Sequence, residues 1–152
     1  MSDGVQRFAP GWPGIEPRWT SSAKSGVGTS LSLNSRVWFT ISHGILNEIY
    51  FPRVDQACTR DMGLIVTDGS SYFSEEKRHC RFENTPYEPG VGVFHLTNTS
   101  LDGRYVIEKE IFSDPFRNVV LQRIRFHALQ GRLSDYRLFA LLAPHCANSW
   151  RA

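Results

Sequence analysis

At 152 residues the chain suits one domain, and 17 basic against 15 acidic residues leave a formal charge of only +2. The two signs are mixed rather than blocked, which excludes the electrostatic footprint of a nucleic-acid or anionic-membrane binder. No apolar run approaches the ~20 residues of a membrane span. The opening MSDGVQRFAPGWPG lacks a basic stretch followed by an apolar core, so a cytoplasmic protein without a signal peptide is expected.

The first 30 residues are rich in Gly, Pro and Ser, and Trp12 and Trp19 stand among prolines. Proline fixes φ and removes a donor, so residues 1–30 read as an extended lead-in, with the tryptophans pinning it to the body. SAKSGVGTS fails as a phosphate loop because its lysine precedes the glycines. From Ser35 to Gly69 three apolar runs, VWFTI, ILNEIYF and GLIVT, are β-branched or aromatic and read as strands. His43-Gly44 and Asp68-Gly69 sit where tight turns need positive φ. Between the second and third runs, PRVDQACTRD is predicted as one charged loop. Its Arg53, Asp55, Arg60 and Asp61 are candidates for docking onto another domain.

After Gly69, SSYFS is expected to return antiparallel to LIVT over a two-residue Asp68-Gly69 turn. SEEKRHCRFENTPYEPG then reads as a long surface loop, with Glu75, Glu76, Lys77, Arg78 and Arg81 forming a solvated rim. Asp102-Gly103 marks a hairpin that opposes Leu96 to Lys109 and Phe94 to Ile111. One face then carries Phe94, Leu96, Tyr105, Ile107 and Ile111 and must be the core. A four-residue turn at Asp114–Arg117 brings in a third strand. It places Val120, Ile124 and Phe126 inward, Ile111 opposite Val120, Ile107 opposite Ile124, Tyr105 opposite Phe126, and Glu108 against Arg123. YRLFALLA is apolar on both alternating faces, as an inner strand covered on two sides would be; a short helix is the alternative. All signals are short strands and turns, and the class is an all-β antiparallel sandwich.

Few residues offer chemistry. Glycoside hydrolysis needs two carboxylates flanking one bond. Glu108 and Glu110 face Arg123 and Arg125 across the outer face of the meander, and Asp55 and Asp61 share a loop with Arg53 and Arg60. A paired carboxylate favours its charged form, the wrong state for a general acid. Cys58, Cys80 and Cys146 are odd in number and widely spaced, which argues against a disulfide framework. His43, His79, His95, His127 and His145 are scattered singly, with no metal-ligand spacing. Asn98-Thr99-Ser100 is a glycosylation sequon by letter only. No catalytic, substrate-binding or metal residue is assigned, and no cofactor is expected.

SRVWFTISHGILNEIYFPRVDQACTRDMGLIVTDG resembles the opening of the N-terminal β-sandwich domain of bacterial-type glucoamylases and glucodextranases, glycoside hydrolase family 15. The earlier PGIEPRWTSSAKSGVGTS and the later DGRYVIEKEIFSDPFRNVVLQRIRF and LFALLAPH look like the same domain in the same order, from about Pro10 to His145. The resemblance implies a super-β-sandwich of galactose mutarotase-like form, incomplete here. Residues 31–152 would be part of that domain, and the catalytic (α/α)6 barrel, with its two glutamates, would lie beyond Ala152. It implies as partners that barrel and, through the parent enzyme, a starch- or dextran-type glucan. The alternative is a free-standing carbohydrate-binding module, which needs an exposed aromatic row. The outer meander face offers Thr97, Thr99, Glu108, Glu110, Arg123 and Arg125 instead.

Overall fold

A computed structural model describes residues 23–145. Ten strands and two helical turns follow in order among the described residues: β1 Gly26–Thr29, β2 Trp38–Ser42, β3 Ile45–Tyr50, β4 Ala57–Thr67, β5 Phe73–Glu75, α1 Glu76–His79, β6 Cys80–Pro86, β7 Phe94–Ser100, β8 Tyr105–Ser113, β9 Val120–Ala128, a 3-10 turn at Leu133–Asp135 and β10 Arg137–Pro144. One antiparallel sheet has the order β1-β2-β3-β4-β10, with β5 also on β4; the other is β6-β7-β8-β9. Their inner faces pack as a sandwich. Phe39, Ile41 and Leu46 of the first sheet meet Phe94, Leu96 and Ile111 of the second. Beside them, Leu64 and Val66 meet Tyr105 and Ile107.

The local signals explain most of this. His43 (φ 52°) and Gly44 (φ 71°) make the turn between β2 and β3. The Asp102-Gly103 hairpin pairs Phe94 with Ile111 and Leu96 with Lys109, as the alternation requires. The residues expected on the core face, Phe94, Leu96, Tyr105, Ile107 and Ile111, are all buried. Val120, Ile124 and Phe126 pack against them from β9. The lead-in ends in an edge strand: β1 pairs β2, with Gly28 opposite Phe39. Gly28 lets the Phe39 ring lie against the backbone, where any Cβ would clash. Trp12, Trp19 and Cys146 lie outside the described residues.

Five expectations are corrected. The turn after β8 is longer than four residues, with Asp114 N–H bonding Val119 O and Asp114 Oδ1 accepting from Phe116 and Arg117 N–H. Ser113 therefore opposes Val120, Ile107 opposes Phe126 and Tyr105 opposes Ala128. A shift of two residues keeps every side chain on its face and changes only its partner. Glu110, not Glu108, meets Arg123 at 3.1 Å, and Glu108 meets His127 at 3.1 Å.

The Asp68-Gly69 turn spans five residues, because Thr67 pairs Phe73 and Asp68 Oδ1 gathers the N–H groups of Ser70, Ser71 and Tyr72. The stretch Ser74–Gly90 is no surface loop, since it holds the end of β5, all of α1 and β6. The charged loop stops at Gln56, and Ala57–Asp61 already belong to β4. Finally, β10 is a strand but lies at a sheet edge. Leu138 and Leu142, whose partners Val66 and Met62 are core residues, remain 41% and 52% exposed. Nothing among the described residues covers them.

Candidate functional site

The four candidate docking residues do not converge. Arg53 and Asp55 form a two-pronged pair in the loop after β3, at 3.0 and 2.9 Å, with both side chains mostly exposed. Arg60 and Asp61 stand on β4 instead, where they line a cleft of about 320 Å3 with His43, Ile45, Gly63, Glu75, Lys77, Arg78 and Leu141. Lys77 Nζ meets Asp61 Oδ2 at 3.0 Å, and Arg78 Nε meets Glu75 Oε2 at 3.2 Å. Arg60 has no acidic partner among the described residues, and its Nε is buried without an acceptor.

The helical turn α1 explains why this cleft exists. β3 pairs β4 as far as Met62, and β5 takes up the same edge at Ile65. Leu64 N–H falls in the gap between them. Glu76 fills that gap, its Oε2 accepting from Leu64 N–H at 3.0 Å. Once Glu76 points inward, the rest of the turn must carry Lys77 and Arg78 outward, over β4.

Glu76 is also the centre of a buried polar cluster that sequence reasoning placed on a solvated rim. Its Oε1 lies 2.6 Å from Lys109 Nζ, with both side chains fully enclosed. Asn98 Nδ2 donates to Glu76 Oε1 at 2.5 Å and to Gly44 O at 2.7 Å. Burial pulls the Lys109 pKa below its ordinary value, and the Glu76 charge opposes that shift. Charge and hydrogen bonding from the ammonium to the carboxylate together hold this pair. The cluster interrupts the apolar face of β8 between Ile107 and Ile111 and so divides the apolar core in two. The signal was present: the alternation that buries residues 105, 107 and 111 also buries Lys109, and the one burying 94 and 96 also buries Asn98. Asn98 is fully buried, which removes the sequon as a glycan acceptor.

A second cleft, about 280 Å3, lies on the outer face of the meander between His95, Thr97, Glu108, Glu110, Arg123 and Arg125. Its carboxylates are engaged as described, and Arg125 stands opposite Glu108 in the ladder without an ion pair. Its lining carries no aromatic row. Among the described residues, no group of three His, Cys, Asp or Glu could hold a metal ion. Cys58 and Cys80 are free thiols; burial pushes that of Cys80 up, away from nucleophilic character. Among the described residues, no helix is long and apolar enough to cross a membrane.

The architecture meets its relatives over nearly its whole length. A family model described as glucodextranase, domain N, matches residues 9–151. The chain belongs to the glucodextranase domain N family. A glucoamylase from Clostridium sp. (strain G0005) is 39% identical over 136 residues, which is 90% of this chain and 19% of that protein. A crystal structure of a bacterial glucoamylase complexed with acarbose superposes with a TM-score of 0.86 at 38% identity, over 90% of this chain and 20% of that one. This domain N chain thus spans about a fifth of the length of the relatives it matches.

Proposed function

We propose that this chain is the non-catalytic N-terminal domain of a glucoamylase-like glycoside hydrolase of family 15. The longer parent would cleave α-glucosidic bonds of starch- or dextran-type glucans on an (α/α)6 barrel, and this domain packs on that barrel and supports it. The observation that carries the reading is the domain N match over residues 9–151, in relatives about five times as long. Site chemistry supports it. In both clefts the carboxylates are engaged by cations or histidines, whereas glycoside hydrolysis needs an acid and a base free to flank one bond. Fold alone does not decide function.

Docking runs through β4 and the loop before it, with Arg53, Asp55, Arg60 and Asp61 as its polar contacts. The test is Arg53→Ala and Arg60→Ala in a longer parent enzyme, with melting temperature and glucosidase activity read together. A buried interdomain hydrogen bond to a charged group lowers stability by about 2–5 kcal/mol when one partner is truncated. The expected result is earlier melting for Arg60→Ala and a smaller effect for the exposed, internally paired Arg53. Two variants that melt and turn over like wild type would reduce these residues to solvated polar surface.

A further inference from the structure

Between Thr59 and Thr67, Arg60 is the one residue that the β10 ladder skips. Ala143 opposes Asp61 and Pro144 opposes Thr59, so Arg60 is the extra residue of a bulge. Met62, Leu64 and Val66 face the core, and strict alternation would turn residue 60 inward after them. A bulge breaks alternation and re-aims a side chain. Here it brings Arg60 into the cleft beside Asp61, where alternation alone would keep the two on opposite faces.

The cleft holds three cations, Arg60, Lys77 and Arg78, against two carboxylates, Asp61 and Glu75, and both carboxylates are taken by the lysine and the other arginine. One positive charge is left over, on the side chain whose buried Nε has no acceptor. A buried N–H left unpaired is costly, so an acceptor brought from outside gains more here than at an open surface. Gly63 leaves the floor of the cleft without a side chain, and Leu141 forms an apolar wall, still 45% exposed. On the same face of β10, Phe139 is 52% exposed.

We propose that this cleft is a seat for a carboxylate, gripped by the Arg60 guanidinium. In the longer chain its occupant is an Asp or Glu side chain of the polypeptide that packs on this face. This rests on the docking reading above and names the chemistry of its contact. The planar guanidinium fork matches a carboxylate in two parallel bonds, whereas a neutral sugar would leave its charge uncompensated. A free small acid would leave Phe139 and Leu141 wet; a packed polypeptide covers them.

The test uses the chain as it is, labelled with 15N, and follows the Arg60 Nε–H resonance during titration with sodium acetate, with sodium chloride at equal ionic strength as control. The expected result is a saturable shift with acetate only, accompanied by a shift of the Gly63 backbone N–H in the cleft floor, whose response to acetate weakens roughly tenfold or more in Arg60→Gln. Maltose should leave the resonance in place. An Arg60 signal that ignores acetate, follows chloride equally, or saturates with maltose instead would overturn the proposal. The wild-type resonance carries this result even if the variant fails to fold. Docking is read separately: early melting of the parent's Arg60→Ala variant with no acetate response would leave docking standing without its carboxylate. Saturable acetate binding with a wild-type-like parent variant would remove the polypeptide occupant.

Discussion

Lys109 and Asp68 show how differently a charge behaves inside and at the rim. Lys109 is enclosed with Glu76 at 2.6 Å, and replacing one member strands the other in the core. Lys109→Met is expected to lower unfolding free energy by about 3–5 kcal/mol, by denaturant titration. Glu76→Gln on top of it should recover part of that loss: it removes the stranded charge but turns an NH2 toward one of the two donors, Leu64 N–H or Asn98 Nδ2. A single variant close to wild type would mean that water reaches the pair. Asp68 sits at a turn, and its pKa is lowered to about 2, first by the N–H of Tyr72 and then by that of Ser70. A folded pKa below the unfolded one contributes stability that is present above about 3.8 and lost as pH falls through about 2. Carboxyl-carbon NMR should therefore find Asp68 ionised at pH 3, and Asp68→Asn should abolish this part of the acid dependence. A midpoint near 3.8 would contradict the three-way N–H capture.

At the scale of elements, two glycines with the same φ separate backbone cost from packing cost. Gly44 and Gly103 both have φ 71°, but a Cβ on Gly44 would strike Asn98 Oδ1 and Phe82, while one on Gly103 meets open space. Gly103→Ala should cost about 1–2 kcal/mol, the left-handed penalty alone, and Gly44→Ala clearly more, measured as paired melts. Equal losses would show that the His43–Gly44 turn can lift away from the Asn98–Glu76 cluster. The same elements show what was legible beforehand. Alternation in β7, β8 and β9 identified the inward residues because a buried face tolerates no one-residue slip. A two-residue slip keeps the faces, so the β8–β9 register was not written there; Asp114 capturing two N–H groups decided it. Glu76 was illegible for another reason. EEKRH reads as solvent-facing, and only the missing rung between β3 and β5 at Leu64 calls a carboxylate inward. Arg60 was singled out, but as a loop residue, since no short-range signal announces a bulge.

For the whole molecule, the sandwich is closed where β2–β4 meet β7–β8 and open beside β9 and β10. There Leu138 and Leu142 stay about half exposed on the core side. Exposed apolar strand edges promote association. Sedimentation of the chain alone should show self-association that rises with concentration, and Leu138→Lys with Leu142→Lys should shift it toward monomer. A monodisperse wild-type monomer would mean that the open side is covered. On the proposed function this domain N chain supports glucan hydrolysis without performing it, and glucose release by the purified chain is the measurement that decides. Incubated with maltose and with isomaltose, it should release no glucose above the rate without protein. Glucose released in proportion to chain concentration, and lost on Glu108→Gln or Glu110→Gln, would contradict a non-catalytic domain and place catalysis on the outer face of the meander.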